Sequence, residues 1–231
     1  DRLVRNERIA WGASMIACKD ADAMVTGNIR HYAASVEKLK YVCDARKGEP
    51  IFGMTLIVFK GRTVLVADTN VEDFPSAKRL VEISKSCVRV SKLFGFDPKV
   101  AFLSHSTFGK PISRNTKHVR DAINMLKDEK VNFDFDGEMQ PDVALNPIYQ
   151  DVYPFSKIVG KANILIMPAL HSAAISTKLM KSFGGAKLIG PLLIGLDLPI
   201  EVAPLRSTTS DILNLASIAA YSADVIDYNK D

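Results

Sequence analysis

Ala162-Asn163-Ile164-Leu165-Ile166-Met167-Pro168-Ala169-Leu170-His171-Ser172 is the stretch whose reading decides the fold. Its first six residues are almost uninterruptedly apolar, the mark of a strand buried on both faces, and Pro168 ends the run. Ser172 is then a good N-cap for a helix in which Ile175, Leu179 and Phe183 keep helical spacing, with Lys178 and Lys181 on the other side. Gly184-Gly185 stops that helix, because glycine accepts the left-handed conformation of a helix C-terminus. Residues 188–195 form a second apolar run. Strand, helix and strand in close succession predict a βαβ unit and a parallel sheet. Ligands of parallel sheets gather beyond the carboxyl ends of the strands, so residues 168–172 are the first candidate site.

The remaining composition fits an α/β protein with a sizeable core. The chain has 231 residues, 47% apolar and 24% charged, with no signature of disorder. A net charge of +4 suits a polyanionic small ligand, and the lack of Lys/Arg blocks argues against nucleic acid. Cys18, Cys43 and Cys87 are odd in number and lack a CxxC pair, which indicates neither a disulfide framework nor a zinc site. Reduced thiols in a cytoplasmic protein are the simplest reading. No apolar run approaches the roughly twenty residues of a membrane helix, so no membrane contact is expected. Residues 1–8 are charged, unlike a signal peptide. They start inside a helical pattern without an initiator methionine, so the sequence is expected to belong to a longer polypeptide.

Residues 7–17 read as a helix, 21–25 as a short strand broken at Gly27, and 32–41 as a helix. Residues 51–60 and 62–68 are β-rich runs joined at Lys60-Gly61, a hairpin signal. Residues 76–94 make an amphipathic helix with Leu80, Ile83, Cys87, Ser91 and Phe94 on one face and a solvated basic face elsewhere. A strand over 99–103 ends in Ser104-His105-Ser106-Thr107-Phe108-Gly109-Lys110. Hydroxyls and backbone N–H groups at such a turn suit phosphate oxygens, while the competing reading is a turn that satisfies its own backbone. Residues 115–127 are helical. Residues 131–136 alternate with period two, and 137–142 close that strand amid an acidic cluster. A Mg²⁺ site or an acid/base pair competes there with solvated or helix-capping carboxylates. Residues 200–203 are a last short strand. Thr208-Thr209-Ser210-Asp211 then opens a helix with Ile212, Leu215, Ala216, Ala219, Ala220 and Ala223 inward. GxGxxG, P-loop, HExxH and GxSxG motifs do not occur, and the 4 histidines lack metal-ligand spacing, so no metal is expected in this segment.

Several short motifs follow one another along nearly the whole chain. They are Ala21-Asp22-Ala23-Met24-Val25-x-Gly27, Val66-Ala67-Asp68-Thr69, Leu103-Ser104-x-Ser106-Thr107-x-Gly109, Asp136-Gly137-Glu138-Met139-Gln140, Asn163-Ile164-Leu165-Ile166-x-Pro168, Ile189-Gly190-Pro191 and Asp211-Ile212-Leu213-Asn214. In this order they resemble the phosphate acetyltransferase/butyryltransferase family. Ala144-Leu145-Asn146-Pro147, Tyr153-Pro154-Phe155-Ser156 and Met167-Pro168-Ala169-Leu170-His171-Ser172 look closer still to the C-terminal domain of bacterial NADP-dependent malic enzymes.

The resemblance implies two α/β/α subdomains with mainly parallel sheets around a cleft, a phosphate acetyltransferase / isocitrate dehydrogenase-like fold whose N-terminal part is missing. Residues 1–50 with 196–231 are expected to form the incomplete first subdomain, and 51–195 the second. It further implies a homodimer or higher homo-oligomer, and a malic enzyme catalytic region in the same polypeptide. NADP and a divalent metal belong to that region, and this segment takes acetyl-CoA, a CoA thioester, as its ligand. The candidate ligand residues are Ser104, Ser106, Thr107, Gly109, His171, Ser172, Arg206 and Asp211.

Departures from the family pattern bear on the chemistry. A Ser-Arg pair that active members carry before the last helix falls on Pro204 and Leu205. An arginine on the helix after the 163–168 strand is replaced by Ser182, and the hydroxyl-bearing turn after Gly27 reads Asn28-Ile29-Arg30-His31-Tyr32. Asp211 aligns with the family's proposed catalytic base. Acetyl transfer between a thioester and phosphate needs fixed positive charge and donors for the developing oxyanion, and Asp211 supplies neither. The expectation is a retained fold that senses acetyl-CoA and has lost the transferase chemistry. The alternative is an active phosphate acetyltransferase with a rearranged site, in which Asp211 acts.

Overall fold

The computed structural model describes residues 2–68, 71–112 and 114–225. Asp1, and Thr69 of the Val66-Ala67-Asp68-Thr69 motif, lie outside the described residues. The chain divides into two compact units, residues 1–53 with 189–231 and residues 54–188, against expected joins at 50/51 and 195/196.

In the second unit the strands β2 (Phe52–Phe59) and β3 (Arg62–Ala67) form an antiparallel hairpin with Leu56 opposite Leu65. Its two turn residues, Lys60 at φ 47° and Gly61 at φ 74°, match the positive φ pair of the hairpin turn that follows strand twist. From β3 the sheet continues in parallel through β6 (Ile164–Ile166), β4 (Lys99–Leu103) and β5 (Asp134–Met139). The full order of the six-stranded sheet is β5-β4-β6-β3-β2-β7, and β7 (Lys187–Ile194) runs past the join at 188/189 into the first unit. The two strands of the βαβ unit read from the sequence, β6 and β7, are therefore not neighbours, since β3 and β2 stand between them. The hairpin occupies the edge next to β6, so the chain must travel further to reach a free edge.

β5 also corrects a boundary. The strand runs through residues 137–139, which the alternation pattern assigned to its closing turn. Pairing with β4 carries it on, and Gly137 makes that possible: a Cβ there would lie 2.6 Å from the Phe102 carbonyl, at a φ of 145° that side chains avoid.

Helices cover the sheet. α4 (Ala77–Leu93) starts at Ser76, whose Oγ accepts the Arg79 N–H at 3.2 Å, and buries Leu80, Ile83, Cys87 and Ser91, while Phe94 stays half-buried. α5 (Lys117–Asp128), preceded by a 3₁₀ turn over Arg114–Thr116, buries Val119, Ala122, Ile123 and Leu126. Ile123 approaches the Phe102 side of the sheet beside Gly137. The alternate residues Val66, Ala101, Leu103, Leu165 and Met167 form the opposite layer with α6 (Pro141–Leu145) and α7 (Leu170–Gly184).

α7 differs from its sequence reading in two ways. Its N-cap is Ala169, not Ser172, and the cap has no side-chain bond. Instead the Leu170 N–H donates to the Asp73 carbonyl at 3.1 Å, so a tertiary partner replaces the local one. The helix also buries Ala173 and Thr177, leaving the Ile175, Leu179 and Phe183 row exposed. Gly185, at φ 63°, closes it as expected.

In the first unit β1 (Met24–Gly27) pairs in parallel with β8 (Ile200–Ala203). The strand starts three residues later than the 21–25 reading because its ladder begins where the Met24 N–H meets the Pro199 carbonyl. α1 (Arg2–Asn6), α2 (Arg8–Ala17), α3 (Tyr32–Leu39) and α8 (Thr209–Val225) complete this unit. α8 buries Leu215 and Ala219, while Ala216 and Ala220 are exposed, a narrower stripe than the alanines promised because the helix rests on only two strands. Among the described residues no helix is long and apolar enough to cross a membrane.

Candidate functional site

Because β4, β5 and β6 are parallel neighbours, the loops after Leu103, Met139 and Met167 leave from one edge of the sheet. Ser104, Ser106 and Thr107 are buried there. Ser106 Oγ donates to Glu138 Oε1 at 2.7 Å and lies 3.0 Å from Ser104 Oγ, which also accepts the Ser106 N–H at 3.2 Å. Thr107 Oγ1 accepts the Gln140 N–H at 3.2 Å. These hydroxyls therefore knit the loop to β5. Gly109, at φ 83°, is half-buried in a tight turn in which the Thr107 and Lys110 backbones bond each other at 2.9 and 3.1 Å. His105 is exposed, and its carbonyl accepts from Gln140 Nε2 at 2.9 Å.

The acidic cluster at the end of β5 is engaged in structure. Asp136 accepts the Gly137 N–H at 2.9 Å and the Lys157 N–H at 2.7 Å. The Glu138 side chain is fully buried and pairs with Arg120 at 3.1 Å, while its Oε2 has no hydrogen-bond partner among the described residues. Arg120 in turn donates to Thr116 Oγ1 at 2.6 Å. Sequence reasoning missed Arg120; the signal that finds it is the requirement of a buried carboxylate for a cation. Among the described residues no group of three or more His, Cys, Asp and Glu side chains is arranged to hold a metal ion.

His171 and Ser172 stand at the same sheet edge. The exposed His171 ring lies 5.5 Å from that of Phe74, and His118 Nε2 bonds the Pro168 carbonyl at 2.9 Å, which anchors the loop to α5. Phe108 packs tilted against Tyr153, with ring centroids 5.3 Å apart, and edge-on against Phe155 at 4.9 Å, so the Tyr153-Pro154-Phe155-Ser156 motif braces the loop of residues 104–109. A hydrogen bond to the Asp142 carboxylate pushes the Tyr149 phenol up.

The other two candidates belong to the first unit. Arg206, exposed and at φ 60°, donates its backbone N–H to the Asn28 carbonyl at 3.2 Å. Asp211 Oδ2 accepts the Thr208 N–H at 3.0 Å and the Thr208 hydroxyl at 2.9 Å, and Thr208 Oγ1 accepts the Asp211 N–H at 3.2 Å. That reciprocal pattern is a capping box, with Asp in the place of Glu. A cavity of about 340 Å³ opens in the same unit, lined by Arg8, Val25, Gly27, Asn28, Arg30 and Ile212. Its Arg30 is paired with Glu7 at 2.8 Å. Deeper in, Glu201 of β8 accepts the Leu193 N–H at 2.9 Å, and burial pushes its carboxyl up to about 8. Burial, aided by Asp197 and Asp44, likewise raises the Cys43 thiol to about 12, which makes it unreactive.

The family model described as "Phosphate acetyl/butaryl transferase" matches residues 1–220. An NADP-dependent malic enzyme of Rhizobium meliloti (strain 1021) is 44% identical over 222 residues, covering 96% of this chain and 29% of that relative. The phosphate acetyltransferase of Bacillus subtilis (strain 168) is 31% identical over 215 residues, covering 92% of this chain and 67% of its own length. Among solved structures, a phosphotransacetylase from Streptococcus pyogenes superposes with a TM-score of 0.86 at 30% identity, covering 93% of this chain and 67% of that one. The chain thus spans under a third of the malic enzyme relative and two thirds of the stand-alone transferase.

Proposed function

Because the chain belongs to the phosphate acetyl/butyryl transferase family, we propose that it is the C-terminal domain of a cytoplasmic NADP-dependent malic enzyme that binds acetyl-CoA without turning it over. The parent polypeptide oxidatively decarboxylates malate to pyruvate in its catalytic region, and this domain regulates it and pairs its subunits. The carrying observation is Asp211. The residue that aligns with the family's base holds the first turn of α8 through two bonds to Thr208, so its Oδ2 is committed to the fold. Pro204 and Leu205, in place of a hydroxyl and a guanidinium, offer no side-chain donor to an oxyanion.

Binding requires less than turnover. The sheet edge that carries residues 104–109 and 168–172 presents His105, Lys110 and His171 at its surface, cations or donors suited to the pyrophosphate of acetyl-CoA. The buried hydroxyls beneath fix the loop that carries two of them. Calorimetry is expected to detect acetyl-CoA at micromolar to sub-millimolar concentration. His171→Ala should weaken it by roughly tenfold, the scale of one hydrogen bond to a charged group. Acetyl phosphate formation from acetyl-CoA and phosphate should stay at background. Robust turnover by the unmodified chain overturns the non-catalytic reading, and absence of both heat and melting shift overturns the binding.

A further inference from the structure

Phe74, in the loop after β3, is 77% exposed. A single exposed aromatic is ordinary, but this one is held in place. The His171 ring lies 5.5 Å from it at 51°, and the carbonyl of the adjacent Asp73 accepts the Leu170 N–H at 3.1 Å. His118 Nε2 bonds the Pro168 carbonyl at 2.9 Å, so the loop that leads to His171 is itself tied to α5. The two rings are tilted rather than stacked, which leaves a face of Phe74 open. The sheet gives that face its neighbours. β3, β6 and β4 are consecutive parallel strands, with Ala67 opposite Ile166 and Ile166 opposite Phe102. Their loops leave one sheet edge in a row, with Phe74 after β3, His171 after β6, and His105 and Lys110 after β4. Adjacent strands are about 4.8 Å apart, so the row runs roughly 10 Å from the β3 loop to the β4 loop.

We propose that Phe74 is the platform for the adenine base of acetyl-CoA, and so a specificity-determining residue for the nucleotide end of that ligand. The inference rests on the acetyl-CoA reading above. An aromatic ring with an open face takes a base by stacking, because every base has a π-face. Phe74 therefore favours a nucleotide over a plain phosphate, and the polar groups further along the row set which way the nucleotide lies. With the base on Phe74, the ribose points toward His171 and the pyrophosphate lies toward His105 and Lys110. The row thus repeats the covalent order of base, sugar and phosphates. A purely apolar ligand would leave His105, Lys110 and His171 unused, and inorganic phosphate would leave Phe74 unused. NADP carries the same base on a pyrophosphate, so the two sources of adenine are separated by experiment.

Phe74→Ala should weaken acetyl-CoA roughly tenfold in calorimetry, the scale of one lost base–aromatic stack, with an unchanged melting temperature. Acetyl phosphopantetheine, the same thioester arm without the nucleotide, should bind parent and variant alike. Phe74→Trp should retain acetyl-CoA, and the indole it adds should be quenched on binding, measured against the signal of Trp11 in the parent. A merely structural Phe74 would give no such quenching. Acetyl-CoA binding that Phe74→Ala leaves unchanged overturns the platform while leaving the ligand reading intact. Equal losses for acetyl-CoA and acetyl phosphopantetheine also overturn it, since Phe74 would then act through the loop and not on the base. Quenching by NADP as strong as that by acetyl-CoA at equal concentration overturns the thioester as the source of the base. A parent that shows neither heat nor a melting shift with acetyl-CoA overturns both readings.

Discussion

α4 and α7 lie on opposite faces of one sheet, and they settle their apolar residues in opposite ways. α4 turns Leu80, Val81, Ile83, Cys87 and Val90 into the interior and sends Lys78, Lys85 and Lys92 to the surface. α7 buries only Ala173 and Thr177 and carries its large side chains outward. Both have apolar residues at helical spacing, so spacing alone reveals a ridge and not the body that covers it. For α4 that body is the sheet. For α7 the sheet side is already filled by small residues, because Val66, Leu165 and Met167 rise toward it from the strands.

The largest test of this contrast is truncation. Leu80→Ala, at a fully buried position, should lower the unfolding free energy by about 2–5 kcal/mol in denaturant titrations. Leu179→Ala, measured on dilute monomer, should change it by no more than about 0.5 kcal/mol. A Leu179 loss matching that of Leu80 would break the contrast and place the α7 ridge in the interior.

A second test carries the contrast over to polar groups, where Glu201 is buried with a single backbone donor. Its folded carboxyl titrates at about 8, above the unfolded value near 4.5, so the folded state holds the proton more tightly. Stability is therefore full below the unfolded value, falls by a few kcal/mol as pH rises through that window to about 8, and changes no further on its account. Glu201→Gln should flatten this dependence in melts taken across the window. An unchanged slope would assign it to other groups.

The smallest effect belongs to the cap of α8. Asp211→Ala should cost about 1 kcal/mol, read as a lowered melting temperature, because it removes one half of the capping box. A variant as stable as its parent would free Asp211 from its structural role and return it to candidacy as a base.

Local features were legible where their partners are local. The Lys60-Gly61 hairpin rests on neighbours within a few residues, and the structure has it where the pattern put it. The N-cap of α7 was not legible, since the Leu170 N–H is met by the Asp73 carbonyl from a distant segment. Nor was the fate of the residue 104–107 hydroxyls. Their composition suits phosphate, but Glu138 and Gln140 reach them first across the β4–β5 pair.

The sequence by itself determined the α/β class and the family, because residue identity and order along the chain carry that information. The tertiary structure alone decided that β7 lies beyond the hairpin, that Arg120 answers Glu138, that Asp211 is a cap, and that the α7 ridge faces outward. Each depends on which distant group arrives within about 3 to 4 Å, the range of hydrogen bonds and close packing, and a linear pattern holds no distances.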